Sequence, residues 1–279
     1  LPEQVQATSD AAQACGDAEL IVAAIPSAFL RSTLQRLVLA IPPEAPVVSV
    51  IKGIENQTFA LPSQIIHQVI GPRPLAVLSG PSHAEEIARG LPASVVVAGD
   101  DDRLNRAIRD DLSRGMLRVY SNLDRVGVEL AGALKNVLAI AAGVAEGLGL
   151  GDNARAALLT RGLVEITRFG EAQGASRSTF FGLAGVGDLL TTCYSKFSRN
   201  RHVGEQIGRG RSLQDVLASM TNVAEGVTTC RSVHQQALAN DIDMPITREL
   251  HAVLFESKPP RDALTDLMLR APKDEWELA

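Results

Sequence analysis

Residues 126–148 read VGVELAGALKNVLAIAAGVAEGL, and this stretch divides the chain into two parts. Its apolar residues fall on nearly every face of a helix, so we expect that helix to be buried at the centre of a domain. The stretches after it are rich in alanine, leucine and glycine and predict further helices. The next of these covers residues 153–173, behind the capping candidate Asp152, and ends at Gly174.

The chain before residue 126 has a different pattern. Short apolar and β-branched runs predict strands at residues 20–25, 47–51, 75–78, 94–98 and 117–120. Amphipathic stretches at residues 28–41, 61–70 and 102–113 predict helices between the strands. This alternation predicts an α/β doubly wound (Rossmann-like), mostly parallel sheet, which binds ligands beyond the carboxyl ends of its strands. We therefore expect one domain over residues 1–125 and an all-α domain over residues 126–279.

Composition and charge narrow the class of protein. The 279 residues are 46% hydrophobic and 21% charged, which is typical of soluble globular proteins. No apolar run reaches the roughly 20 residues that span a bilayer, so we expect no integral membrane segment. The net charge of −5 is spread along the chain and argues against nucleic acid as a partner.

Cysteine and histidine usage points to a reducing compartment. Cys15, Cys193 and Cys230 are widely spaced and odd in number, which predicts neither disulfides nor a zinc site and favours the cytoplasm. The five histidines show no metal-ligand spacing, so we expect no metal.

Lys135 is the single charged residue between Glu129 and Glu146 on the apolar helix. A buried ammonium group is costly, and loss of solvent lowers its pKa toward the range useful for acid–base chemistry. Two interpretations follow: a functional buried lysine, or a lysine whose long side chain reaches the surface.

The tetrapeptide Ser198-Arg199-Asn200-Arg201 is a candidate phosphate site in an acidic protein. The planar guanidinium group matches phosphate oxygens, and serine and asparagine supply further donors. The alternative is a solvated helix start that Ser198 caps. The glycine-rich segment 182–187 before Asp188 is weak evidence by itself.

Two further groups follow predicted strands directly, where a doubly wound sheet binds ligands. Ser79-Gly80-Pro81-Ser82 follows residues 75–78, and Lys52-Gly53 follows residues 47–51. The alternatives are an ordinary turn, with Ser82 capping the helix of Glu85 and Glu86, and a surface lysine.

Seven blocks together resemble the bacterial NAD(P)-dependent glycerol-3-phosphate dehydrogenases, in that family's order and over essentially the whole chain. The blocks are IPS (25–27), KGIE (52–55), LSGPSHAEE (78–86), ELAGALKN (129–136), GDNARAAL (151–158), GVGDL (185–189) and SRNR (198–201). The resemblance implies that residues 1–125 form a dinucleotide-binding domain and residues 126–279 a helical substrate and catalytic domain.

One departure from the family is large. The family begins with a βαβ unit that carries a GxGxxG-type loop, and nothing before Leu20 can form that loop. The chain also opens without methionine. We therefore expect the sequence to lack the family's amino-terminal dinucleotide-binding unit and to leave the first domain partial, with a gap in its sheet.

The resemblance implies that the protein reduces dihydroxyacetone phosphate reversibly to sn-glycerol 3-phosphate with NAD or NADP as coenzyme, feeding glycerophospholipid synthesis. The implied catalytic residues are Lys135 as general acid–base, Lys52 and Asp188. The implied substrate-binding residues are Lys52, Gly80, Ser82, Lys135, Asp188, Ser198, Arg199 and Asn200. The implied coenzyme-binding residues are Lys52, Ala84, Arg199, Val223 and Glu225.

Other functions remain open at this point. A related β-hydroxyacid or sugar-acid dehydrogenase shares the two-domain plan and a helical lysine. A non-catalytic binding or scaffold module would follow if the nucleotide loop were truly lacking. The preference for NAD or NADP is not determined, and the apolar helical domain is compatible with a homodimer.

Overall fold

The computed structural model describes residues 4–220, 223–272 and 274–275. Five strands form one sheet in the order β1-β2-β3-β4-β5. Their bounds are Ile21–Ala23 (β1), Val47–Ser49 (β2), Leu75–Ser79 (β3), Ala93–Gly99 (β4) and Leu117–Asn122 (β5). All five predicted strands are confirmed, each within a few residues of its predicted bounds.

The sheet is parallel except at one pair. β1, β2 and β3 run parallel, β4 runs antiparallel to β3, and β5 is again parallel to β4. The connection between β3 and β4 contains only the four-residue helix Ala84–Ile87, which is too short for the crossover that a parallel pair requires. The carboxyl ends of β1–β3 therefore share one edge of the sheet, and those of β4 and β5 lie at the other.

Helices account for most of the remaining chain that the structure describes. In the first domain they are Ala11–Cys15 (α1), Leu30–Leu37 (α2), Pro62–Ile70 (α3), Ala84–Ile87 (α4) and Asp102–Leu112 (α5). After β5 they are Arg125–Gly147 (α6), Asp152–Ala172 (α7), Arg177–Phe180 (α8), Asp188–Tyr194 (α9), Arg199–Gly208 (α10), Leu213–Ala218 (α11), Glu225–Ala239 (α12), Pro245–Phe255 (α13) and Pro260–Met268 (α14). An all-helical second part is confirmed.

Two predicted details at helix ends are wrong. The helix expected over residues 28–41 is shorter, because a 3₁₀ turn at Ser27–Phe29 precedes α2 and the chain leaves the helix after Leu37. Asp152 does not cap α7, since Gly151 holds the cap position and the Asp152 carboxylate pairs with Arg155 inside the first turn.

Helix α6 is the centre of the molecule. Its residues from Gly127 to Ala145 are buried, and its apolar side chains share one core with Val77 of β3 and Val96 of β4. By length and mean hydropathy (1.5) this helix could cross a membrane, so the expectation that no stretch reaches that length is wrong. However, 89% of its most apolar window is buried inside the protein, as in the core helix of a globular domain.

Two buried carboxylates tie α6 and α7 to the starts of other helices. Glu129 accepts hydrogen bonds from the backbone N–H and the hydroxyl of Ser63, in the first turn of α3 (2.8 and 2.5 Å). Glu165 accepts the backbone N–H groups of Ile246 and Thr247, in the first turn of α13 (2.7 and 2.8 Å). Burial raises the pKa of both carboxyl groups to about 7. The Glu129 bond joins the helical part to the sheet domain.

The backbones of α6 and α10 are in direct contact. A Cβ atom on Gly204 would lie 1.9 Å from the carbonyl oxygen of Ile140, and one on Gly143 would lie 2.0 Å from that of Arg201. No heavy atom can occupy either position, so only glycine permits this separation of the helix axes. The contact fixes the position of α10 on α6, and with it the position of residues at the start of α10.

We expect Gly204→Ala to lower the free energy of unfolding by about 2–3 kcal/mol or more, because the added methyl group must push two backbones apart. Chemical denaturation at neutral pH measures this change. Gly151→Ala is the matched control, since a Cβ atom there meets nothing within 4 Å, and it should cost about 1 kcal/mol or less. Equal losses in the two variants would contradict the importance of the α6–α10 contact.

Candidate active site

Lys135 lies in the middle of α6 and is buried, with 5% of its surface exposed. Its Nζ donates to Asp188 Oδ1 at 2.7 Å and to Thr192 Oγ1 at 2.5 Å. The interpretation in which this side chain extends to the protein surface does not fit, because the ammonium group ends on two buried partners from α9.

Lys52 approaches the same carboxylate from the sheet domain. It follows β2, and its Nζ donates to Asp188 Oδ2 at 2.7 Å and to the carbonyl oxygen of Gly80 at 3.1 Å. Asp188, the first residue of α9, thus holds one lysine on each carboxylate oxygen. The cluster of Lys52, Lys135 and Asp188 joins the two domains and has a net charge of +1 when both lysines are protonated.

The surroundings shift the acidities of this cluster. Burial, with a contribution from the charge of Lys52, lowers the pKa of Lys135 to about 8, against the opposing attraction of Asp188. Burial alone would raise the pKa of Asp188, but the two ammonium groups and their hydrogen bonds hold it below its usual value. At neutral pH, Asp188 is therefore ionised while Lys135 is within reach of deprotonation.

The four residues of the SRNR segment (198–201) have different surroundings at the start of α10. Ser198 is the cap residue, and its Oγ accepts the backbone N–H of Arg201 (3.2 Å). Asn200 is buried and bridges Asn136 of α6 and the backbone N–H of Gly226, each at 3.0 Å. The Arg199 side chain is exposed and forms no hydrogen bond or ion pair with any described residue, and its charge acts to lower the pKa of Glu225. The Arg201 side chain pairs with Glu146 (2.5 Å) and donates to the carbonyl oxygen of Ser195 (3.1 Å).

Gly80 and Ser82 lie on the loop after β3. The carbonyl oxygen of Gly80 accepts both Lys52 Nζ and Ser82 Oγ (2.8 Å). Ser82 is not the cap of α4, as one interpretation held, because His83 holds that position and makes no side-chain cap bond. Ala84 begins α4 and is exposed.

Glu225 is the first residue of α12, and the exposed Val223 precedes it by two positions. Glu225 Oε1 accepts the backbone N–H of Ser27, directly after β1, at 2.9 Å. Burial raises the pKa of Glu225. A Cβ atom on Gly53 would lie 2.5 Å from Ser27 Oγ and 3.5 Å from Glu225 Oε2. Glycine at position 53 therefore lets the backbone after β2 pack closely against Ser27, beside Glu225, at the strand ends where a Rossmann-like sheet binds a dinucleotide coenzyme.

Three residues that the sequence patterns do not single out as functional also lie at the site: Thr192, Asn136 and Ser27. Thr192 follows Asp188 by four positions, so the two share one helix face, and this spacing could have identified it. Asn136 and Ser27 show no such signal, because their partners are distant in the sequence.

Two other features lie apart from this cluster. A cavity of about 840 Å³ between α6, α7, α13 and α14 has an apolar lining and none of the site residues. His234, His251 and Glu256 come together with their candidate ligand atoms within 4.8 Å, which their sequence spacing did not predict. The imidazole rings are stacked (centroids 4.0 Å apart, planes at 23°), so one ion could not lie in both ring planes.

A Rossmann-like sheet whose strand ends meet a buried lysine from an all-helical domain fits the class of two-domain, nicotinamide-dependent dehydrogenases. Comparison with known sequences gives a narrower class. The profile of the NAD-dependent glycerol-3-phosphate dehydrogenase N-terminus matches residues 1–105, and that of the C-terminus matches residues 124–265.

Individual relatives agree with the profiles. Glycerol-3-phosphate dehydrogenase (NAD(P)+) 2 of Salinibacter ruber is 48% identical over 99% of this chain and 81% of its own length. The enzyme of Prosthecochloris aestuarii is 47% identical over 98% of this chain and 83% of its own length. The crystal structure of glycerol-3-phosphate dehydrogenase from Coxiella burnetii superposes with a TM-score of 0.92 at 35% identity, over 96% of this chain and 82% of that one. The chain belongs to the NAD-dependent glycerol-3-phosphate dehydrogenase family.

These matches correct one expectation. The prediction that the sequence lacks the family's amino-terminal dinucleotide-binding unit is wrong, because the N-terminal family profile covers residues 1–105. The predicted gap in the sheet is also absent from the described residues, where β1 to β5 pair without interruption.

We expect Asp188→Asn to lower the free energy of unfolding by about 3 kcal/mol or more at pH 7, because two ammonium groups lose their buried counter-charge. The loss should shrink as the pH rises toward 9. Without Asp188 the pKa of Lys135 falls further below its unfolded value, so the folded state binds fewer protons and gains stability with pH.

Denaturation at pH 7 and pH 9 checks this expectation. Asp102→Asn is the matched control, because Asp102 pairs with Arg106 on an exposed helix face and should cost about 0.5 kcal/mol or less. A loss that does not change with pH would contradict the electrostatic explanation.

Proposed function

We propose that the cluster of Lys52, Lys135 and Asp188 is the catalytic centre at which this chain interconverts dihydroxyacetone phosphate and sn-glycerol 3-phosphate with NAD(P)H. The observation that carries this proposal is the buried Lys135 ammonium, with a pKa of about 8, held on a carboxylate that a second lysine shares. Family membership supports the reaction, and the geometry supports the residue roles proposed below.

Lys135 is the general acid in the reduction and the general base in the oxidation. When bound, the nicotinamide coenzyme supplies the hydride that reduces carbon 2 of the ketone. Lys135 Nζ gives its proton to the ketone oxygen, and the neutral amine takes a proton from the hydroxyl group in the reverse direction. Asp188 and Thr192 hold Nζ in place, and the Lys52 cation stabilises negative charge that develops on the oxygen.

The substrate phosphate binds at the start of α10. The exposed Arg199 guanidinium is unpaired among the described residues and supplies charge and paired donors. Ser198 Oγ uses a lone pair on the backbone of Arg201, so its hydroxyl proton remains available to donate. Asn200 holds α6, α10 and α12 together at this point, and Gly80 and Ser82 approach from the other domain.

The coenzyme, NAD or NADP, binds along the carboxyl edge of β1–β3. The proposed contacts are Lys52, Ala84, Arg199, Val223 and Glu225. Glu225 supports this assignment because its partly buried carboxylate already meets the backbone of Ser27 at the end of β1. Lys52 and Arg199 then border both ligands, so substrate and coenzyme are adjacent in the cleft between the domains.

Family membership favours the triose phosphate reaction over the related β-hydroxyacid or sugar-acid dehydrogenases and over a scaffold without activity. The reaction product is a precursor for glycerophospholipid synthesis. We also propose a cytoplasmic location, supported by three free cysteines, and a homodimer, supported by exposed apolar side chains such as Leu238, Met268 and Leu269 on the helical domain.

Lys135→Ala should lower kcat about 100-fold or more while coenzyme binding and the fold persist, because a positioned acid–base group is lost. In the unmodified protein, ketone reduction should fall as the pH rises through about 8, and glycerol 3-phosphate oxidation should rise over the same interval. Steady-state rates in both directions between pH 6 and 10 measure this. Near-normal turnover of the variant would remove Lys135 from the mechanism.

Arg199→Lys should weaken dihydroxyacetone phosphate binding by about 1.5–3 kcal/mol, since lysine keeps the charge but loses the planar pair of donors. The loss should appear in kcat/KM. Unphosphorylated dihydroxyacetone, which has no phosphate to contact, should be affected far less. If kcat/KM falls equally for both ketones, Arg199 does not recognise the phosphate.

A further inference from the structure

The loop after β3 has two buried polar atoms that no described group satisfies. They are Ser79 Oγ, at the end of the strand, and His83 Nε2, at the cap position of α4. Between them, the Gly80 carbonyl oxygen already accepts Lys52 Nζ, so this loop borders the catalytic cluster. Buried polar atoms rarely remain unpaired. Ser79 Oγ lies against the α6 backbone at Gly132, so His83 Nε2 is the atom that a ligand at this loop could satisfy.

His83 also reaches the opposite side of the cleft. Its ring packs on Phe197, with the centroids 5.9 Å apart and the planes at 58°. Phe197 directly precedes Ser198, the cap of α10, and lies two positions before Arg199. The contact therefore places the His83 ring beside the segment that forms the proposed phosphate site.

We infer that His83 is a further substrate-binding residue, whose Nε2–H donates a hydrogen bond to a phosphate oxygen of the triose phosphate. The imidazole ring is held by Phe197, so the donor is oriented before the substrate arrives. The other phosphate oxygens remain for Arg199 and Ser198. This inference rests on the proposed function, because it deepens the recognition of the same substrate.

Two substitutions separate the hydrogen bond from the ring packing. His83→Phe keeps a ring against Phe197 but removes the nitrogen, whereas His83→Gln removes the ring and places an amide donor near the position of Nε2. We expect His83→Phe to raise the KM for dihydroxyacetone phosphate and the inhibition constant of inorganic phosphate about 10-fold or more, as for loss of a hydrogen bond to a charged group. His83→Gln should restore most of that affinity.

The controls test whether the effect is local. His202→Gln and His202→Phe change an exposed histidine on α10 and should leave both constants within about two-fold, as expected for a surface site. Thermal unfolding of each variant confirms that it is folded. The KM for NADH and the rate with unphosphorylated dihydroxyacetone should change little in the His83 variants.

Each other outcome overturns the inference. Normal affinity in His83→Phe with a loss in His83→Gln would assign His83 to packing alone, and equal losses in both would mean that the nitrogen is not the determinant. A change confined to the KM for NADH would assign the nitrogen to a phosphate of the coenzyme. If the unmodified protein did not reduce dihydroxyacetone phosphate, the proposed function would fail, whereas normal turnover with no effect in either variant would remove His83 only.

Discussion

The backbone contact between α6 and α10 is the constraint on which the site depends. Glycines at Gly143 and Gly204 let the two helices approach until carbonyl oxygens occupy the space of a side chain. Lys135 lies on one of these helices, and Ser198, Arg199 and Asn200 lie at the start of the other. The distance between the proposed proton donor and the proposed phosphate site is therefore set by two main chains in direct contact.

Electrostatics complements this rigidity. One carboxylate between two ammonium groups leaves the cluster with excess positive charge in a buried setting, where charges act strongly. This excess positive charge favours a reaction in which negative charge develops on a ketone oxygen. The two domains are also joined by the same atoms that are proposed to perform the chemistry, since Lys52 comes from the sheet domain and Asp188 and Lys135 come from the helical one.

Local patterns predicted much of this arrangement. Five strands and the central helix follow from hydrophobic periodicity, and the burial of Lys135 follows from the apolar residues around it on every face of α6. The direction of β4 was not specified, because strand periodicity is the same in both directions. Asn136, Ser27 and His83 were not selected since their partners lie far along the chain, and the expected gap in the sheet came from one missing motif rather than from pairing.

The antiparallel direction of β4 relative to β3 also determines the edge of the sheet at which the helical part begins. Because β5 ends at the edge opposite the strand ends of β1–β3, α6 must run back along the sheet to reach them. The ten residue-to-residue steps from Arg125 to Lys135 rise about 15 Å, close to the length of a short strand. The length of the first half of α6 thus sets the position of Lys135. Deleting one residue from it would withdraw Lys135 by about 1.5 Å and turn it by roughly 100° away from Asp188.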